Sequence, residues 1–448
     1  MGALGRLLPD PDRLGPIGQL ALPICGGMVS QNIFNLVDTA MVGSLGDAAL
    51  AGVGTGSFAN FLAMSFVMGM GAGVQAMSAR RLGQGRHEEV ALPLNGGMLL
   101  VLLLAVPASA LLYAAAPRLL PLLVAAPEVL VVGVPYLQIR LISMVGVGMN
   151  FAFRGYWNGV NLSRLYLKTL LTIHVTNIVL NYAFIFGKLG APELGAVGAA
   201  VASVLATYVG TAVYIGLGLR HAIPGGFLRG LPGRDLLGTL LRLSIPAGTQ
   251  QTALAAGYVA LLWIVAQVGT RELAATHVMI SFMLVGVLPA IGLGLSAASL
   301  VGQALGRGDP DDAQLWGWDV VRVGILATTA LGLPMWLVPS WILAPFLHDP
   351  VTLALAELPV RVMGLGMCLD GVGLVLLQAH LGAGAARTVF VVSAALQWGI
   401  GLTASWLLGP VAGLGLLGIW VGQVFYRTLQ AGVLSWLWRR GAWARTEL

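Results

Sequence analysis

Long apolar runs, each closed by a short cluster of charge, proline or glycine, recur along the whole chain. A membrane-spanning helix needs about 20 apolar residues. Runs of that order fall at 17–42, 50–79, 92–114, 130–153, 166–187 and 195–219, then at 243–267, 274–303, 319–339, 353–378, 388–408 and 414–436. The pattern predicts an all-α integral membrane protein with about 12 transmembrane helices. Runs longer than about 25 residues imply tilt, or ends that protrude into water. Composition agrees: the 448 residues are 57% hydrophobic and 9% charged, with a mean hydropathy of +0.86. A soluble domain carries about 25% charged residues to cover its surface. Most of the 62 glycines sit within the apolar runs, where small residues let helix backbones approach closely.

Charge sets the orientation. Arg118, Lys188 and Arg271 fall on one side, and Arg140, Arg361 and Arg427 fall within spans, which leaves eighteen of the 24 basic residues on the other side. Basic loops stay cytoplasmic, so both termini are expected in the cytoplasm and the protein in the plasma membrane. The same bias accounts for the net charge of +6, and a nucleic-acid partner is not expected. Cys25 and Cys368 lie in apolar runs and read as packing residues, not as a disulfide framework. Met1-Gly2 is followed by Arg6 where myristoylation wants a hydroxyl residue, so that modification is disfavoured.

The chain also repeats itself. A shift of 223 residues sets Pro23 on Pro246, Gly69 on Gly292, Gly71 on Gly294, Pro127 on Pro350, Gly159 on Gly382 and Arg164 on Arg387. A constant offset over such a length argues for duplication. Six spans per half is an even number, so both halves enter from the same side and the repeat is parallel. Two six-helix lobes are expected, 1–222 and 243–448, joined by a cytoplasmic linker at 223–242. Such repeats typify secondary transporters, which handle substrate between the halves.

Most acids lie in loops or near span ends; Asp38 and Asp370 do not. An Asp at a helix centre costs roughly 3 kcal/mol on insertion scales and marks an ion pathway or a buried partner. Under the repeat Asp38 meets Leu261 and Asp370 meets Val147, so neither acid is duplicated. Gln31, Asn35 and Asp38 share one helix face, and His174, Asn177 and Asn181 share another. Such amides and a carboxylate suit a proton or Na⁺; the plain alternative is interhelical amide bonding. His174, His277 and His380 read as packing histidines. Pro23 and Pro246 remove a backbone donor and bend the first span of each half, either as a gate or as a static kink. Clusters such as Gly52-Val53-Gly54 imitate phosphate loops but follow no strand. With no nucleotide site, the energy source is expected to be an ion gradient.

Leu22-Pro23 with Val37-Asp38-Thr39-Ala40-Met41-Val42-Gly43 resembles the first span of the multidrug and toxic compound extrusion (MATE) family. Leu300-Val301-Gly302-Gln303-Ala304-Leu305-Gly306, Asn177-Ile178-Val179-Leu180-Asn181-Tyr182 and Asp370-Gly371 resemble later segments, in the family's order and in its NorM-like form. The resemblance implies an antiporter that exports amphipathic, cationic compounds by alternating access. It implies an N-lobe ion site at Asp38, with Asn177 and Asn181, and a C-lobe cation site at Asp370. NorM-like members carry a Glu eight residues after the second-half proline, where this chain has Leu254; other members carry an Asp where it has Asn181. H⁺ is the expected coupling ion, with Na⁺ as the alternative and no other cofactor. Small-molecule substrates and membrane lipid are the expected partners of a monomer. A lipid-linked precursor flippase would have a more cationic cavity and often extra spans. A membrane-embedded enzyme would need clustered His, Asp and Glu, so no enzyme is expected.

Overall fold

The computed structural model describes residues 9–124 and 126–446; Met1, Gly2 and Arg6 lie outside them. Every regular element among the described residues is helical. In the first half these are α1 (Pro11–Gly43), α2 (Asp47–Met68), α3 (Met70–Gly83), α4 (Leu92–Leu119), α5 (Pro127–Ile142), α6 (Met144–Gly159), α7 (Ser163–Phe186) and α8 (Gly195–His221). The second half has α9 (Arg234–Ala266), α10 (Thr270–Gly306), α11 (Pro310–Leu337), α12 (Pro339–Leu343), α13 (Pro350–Gly382), α14 (Ala386–Ala394), α15 (Thr403–Trp406) and α16 (Gly415–Arg440). π-helical turns at Ala395–Leu402 and Leu407–Val411 flank α15.

Each expected span finds a helix, with two local differences. The second is broken at Gly69 into α2 and α3, and the fourth is bent by 48° between α5 and α6. Among the described residues, ten helical stretches are long and apolar enough to cross a membrane, eleven with the bent pair. The remaining expected span is α16. Its 26 residues reach about 39 Å at 1.5 Å each, enough for a core of about 30 Å. Gln423, Arg427, Thr428 and Gln430 interrupt its apolar run.

The glycine at the Gly69 break has a steric reason. A β-carbon there would meet Gly248 Cα at 2.5 Å and Ser244 O at 2.6 Å. Two glycines thus let α9 lie directly against the α2–α3 junction. Helix starts follow ordinary capping: Asp309 accepts from the backbone N–H of Asp312, and Asp349 from those of Val351 and Thr352.

The chain forms two compact units, one running Gly26–Thr249, the other joining the chain up to Cys25 with Gln250 onward. Both α1 and α9 therefore change unit shortly after Pro23 and Pro246. The 223–242 segment is itself structured. Asn95 Nδ2 donates to Gly226 O at 2.9 Å and Asn95 Oδ1 accepts from Leu228 N–H at 3.0 Å, which ties the turn to α4, and α9 already begins at Arg234. Within the first unit, Val42, Val53, Tyr136, Ile185, Ala199 and Ala200 form an apolar cluster. In the second unit, methionines 279, 283, 363 and 367 pack with Leu261, Val360 and Trp420. Large apolar side chains such as Val131 (73% exposed) and Leu111 (70%) face outward, as lipid contact requires.

Candidate ion-coupling site and a buried ion pair

In the unit Gly26–Thr249, the two polar stripes meet. Asn181 Nδ2 on α7 donates to Asp38 Oδ1 on α1 at 2.6 Å and to Asn177 Oδ1 at 2.8 Å. Asn177 Nδ2 in turn donates to Ser203 Oγ on α8 at 3.1 Å. One turn away, His174 Nε2 lies 3.1 Å from Gln31 Oε1, and Gln31 Nε2 donates to Asn35 Oδ1 at 3.1 Å. The Phe34 ring stacks on His174 at 4.8 Å. All five expected residues therefore fall on a ladder of two separate hydrogen-bonded groups, Asp38–Asn181–Asn177 and His174–Gln31–Asn35, across α1 and α7.

Burial differs along the ladder. Asn177 and Asn181 are fully enclosed, Asp38 is half-buried and Asn35 is exposed. Asn181 Oδ1 is buried with no hydrogen-bond partner. Both amide hydrogens of Asn181 are committed, so an unfilled acceptor sits beside the carboxylate. A proton-bearing donor or a small hard cation satisfies an oxygen in that position. Arg140 on α5 lies within Coulombic range of Asp38. Its Nε is buried without a hydrogen-bond partner, and it makes no ion pair with the carboxylate. Below the ladder, Tyr136 and Ser57 share a hydrogen bond of 2.9 Å.

The second acid has a different environment. Asp370 on α13 is paired with Arg427 on α16, Nη1 to Oδ2 2.5 Å, and both side chains are nearly enclosed. The second guanidinium nitrogen lies 2.7 Å from Met283 Sδ. Position 254 is spent otherwise: the Leu254 carbonyl accepts from Gln397 Nε2 at 3.3 Å. His380 is a packing residue, its Nδ1 2.7 Å from Leu376 O and its ring against Trp438. Pro23 and Pro246 both lie inside continuous helices.

Sequence reasoning missed Ser203, Phe34 and the role of Arg427. For Arg427 a signal existed, because a basic residue inside a span needs a partner as much as an acid does. Ser203 and Phe34 carried none, being ordinary residues in apolar helices.

These observations define the class: a multi-pass helical membrane protein built from a duplicated unit, with an intramembrane carboxylate in each half. The MatE family profile matches residues 23–183 and 246–407, two segments that begin 223 residues apart, and the chain belongs to that family. The multidrug resistance protein NorM of Burkholderia vietnamiensis is 27% identical over 438 residues, covering 93% of this chain and 92% of that protein. The probable multidrug resistance protein NorM of Thermotoga maritima is 25% identical over 418 residues, covering 91% and 88%. Among solved structures, an outward-facing multidrug resistance MATE family transporter of the MOP superfamily superposes with a TM-score of 0.89 at 20% identity, covering 100% of this chain and 99% of that one. A MOP superfamily transporter from Pyrococcus furiosus, described as having a binding pocket of reverse polarity, gives 0.88 at 20% identity with the same coverage. At such identity the likeness is one of fold.

Proposed function

We propose that this protein is a secondary active multidrug efflux antiporter, exporting amphipathic, cationic compounds in exchange for protons bound at Asp38. The observation that carries the reading is the contrast between the two acids. Asp370 is neutralised by a fixed guanidinium, whereas Asp38 is hydrogen-bonded to a neutral amide, has Arg140 in Coulombic range without an ion pair, and stands beside an unfilled acceptor. A carboxylate without a salt-bridge partner can gain and lose a proton without leaving an orphaned charge. The relatives described as multidrug resistance proteins support the cargo class.

Proton and substrate would stabilise different conformations, and that difference in affinity is what links an inward proton flux to outward export. Alternating access about the prolines of α1 and α9 suits this scheme. The basic bias supports a plasma-membrane orientation with both termini cytoplasmic.

The test is efflux of a fluorescent amphipathic cation from proteoliposomes under an imposed proton or sodium gradient. Proton-driven export without sodium is the expected result. Export driven by sodium alone would replace the proton, and no export under either gradient would remove the reading.

A further inference from the structure

A carboxylate inside a membrane span must be matched by a proton, a bound cation or a basic side chain. In the unit that begins again at Gln250, the match is already made. Arg427 Nη1 lies 2.5 Å from Asp370 Oδ2, with the two side chains 13% and 7% exposed. The phenols of Tyr258 and Tyr426 lie within electrostatic range of the pair. Met283 presents sulfur to the guanidinium. Position 254 is a leucine, and its carbonyl accepts from Gln397 Nε2.

We propose that Arg427 is the built-in counter-cation of this unit and closes Asp370 to alkali ions, so that the sodium site which a NorM-like resemblance would place at Asp370 does not form in this chain. A sodium ion could reach Asp370 only by displacing the guanidinium. Arg427 would then be left enclosed without a counter-charge, a penalty that weakens sodium binding roughly a hundred- to a thousandfold. A hard cation also wants several oxygen ligands; besides the one carboxylate, the pair has the neutral phenols of Tyr258 and Tyr426 within electrostatic range, and these do not replace the lost counter-charge. Arg427 is thus the specificity-determining residue of the second unit. The inference is independent of whether Asp38 carries protons.

The test uses full-length purified protein carrying Asp38→Asn, which removes the other intramembrane acid. Bound radioactive sodium and sodium-dependent thermal stabilisation are read against choline chloride at equal ionic strength. Asp38→Asn alone and Asp38→Asn with Arg427→Lys should bind none. Adding Arg427→Met should raise bound sodium roughly tenfold or more over that background, and further adding Asp370→Asn should abolish the gain. A folded Arg427→Met protein that binds no sodium overturns the proposal. Sodium bound with Arg427 in place, and lost in the neutral Asp370→Asn/Arg427→Met pair, overturns it equally. That second comparison holds even where Arg427→Met alone fails to fold.

Discussion

Asn181 Nδ2 donates to Asp38 Oδ1 at 2.6 Å while donating to Asn177 Oδ1 at 2.8 Å. A buried residue of α7 thereby steadies the half-buried carboxylate of α1 without cancelling its charge. Asp38→Asn keeps the shape and the hydrogen bonding capacity but cannot exchange a proton. Gradient-driven efflux in proteoliposomes should fall to the leak rate, with expression and melting temperature near native. Near-native transport by this variant would place the coupling group elsewhere.

Asn181→Leu removes the amide that serves both acceptors. A hydrogen bond to a charged group contributes about 1.5–3 kcal/mol, so initial efflux rates should drop roughly ten- to a hundredfold. A rate within twofold of native would make Asn181 a packing residue only.

The Asp370–Arg427 pair should govern stability more than coupling. Removing one partner of a buried pair costs about 3–5 kcal/mol, whereas replacing both by neutral groups costs little. Asp370→Asn should therefore melt well below native protein, and Asp370→Asn with Arg427→Met should recover most of the loss. Equal destabilisation in the single and double variants would show that the pair is not the source.

Gly69 has Gly248 Cα within 2.5 Å of where its β-carbon would stand. Gly69→Val should destabilise the protein by about 1–3 kcal/mol through overpacking, seen as a lower melting temperature. Gly54→Ala, at a site with nothing within 4 Å, is the control and should be nearly neutral.

Orientation follows from the basic residues. With Cys25 and Cys368 replaced by alanine, a cysteine at Gly233 should react only with reagent supplied from the cytoplasm. One at Lys188 should react only from outside. Both positions are exposed, and the reverse labelling pattern would invert the topology.

Spans were legible because a bilayer imposes length and apolarity on each segment separately, so α1, α7 and α13 announce themselves. α16 is the instructive exception. Its polar face of Gln423, Arg427 and Gln430 lowers its apolarity because those residues turn inward: Gln423 to Ser405, Arg427 to Asp370 and Gln430 to Ser393. The break at Gly69 was hidden in an unbroken apolar run, since it depends on Gly248 lying across it.

Asp38 and Asp370 look alike as lone acids in apolar helices, and helix periodicity alone set Gln31, Asn35 and Asp38 on one face and His174, Asn177 and Asn181 on another. Spacing along one helix is a local property, readable from neighbours three or four residues apart. Which faces meet is not local. Asp38 finds Asn181 across 143 residues and Asp370 finds Arg427 across 57, and only the packing of α1 on α7 and of α13 on α16 brings them within bonding distance. The sequence by itself determined the helices, the duplication and the presence of two intramembrane acids. The tertiary structure decided that one acid is held by a neutral amide without an ion pair while the other is matched by a guanidinium, because the counter-charge of a buried carboxylate is chosen by whichever helix packs beside it.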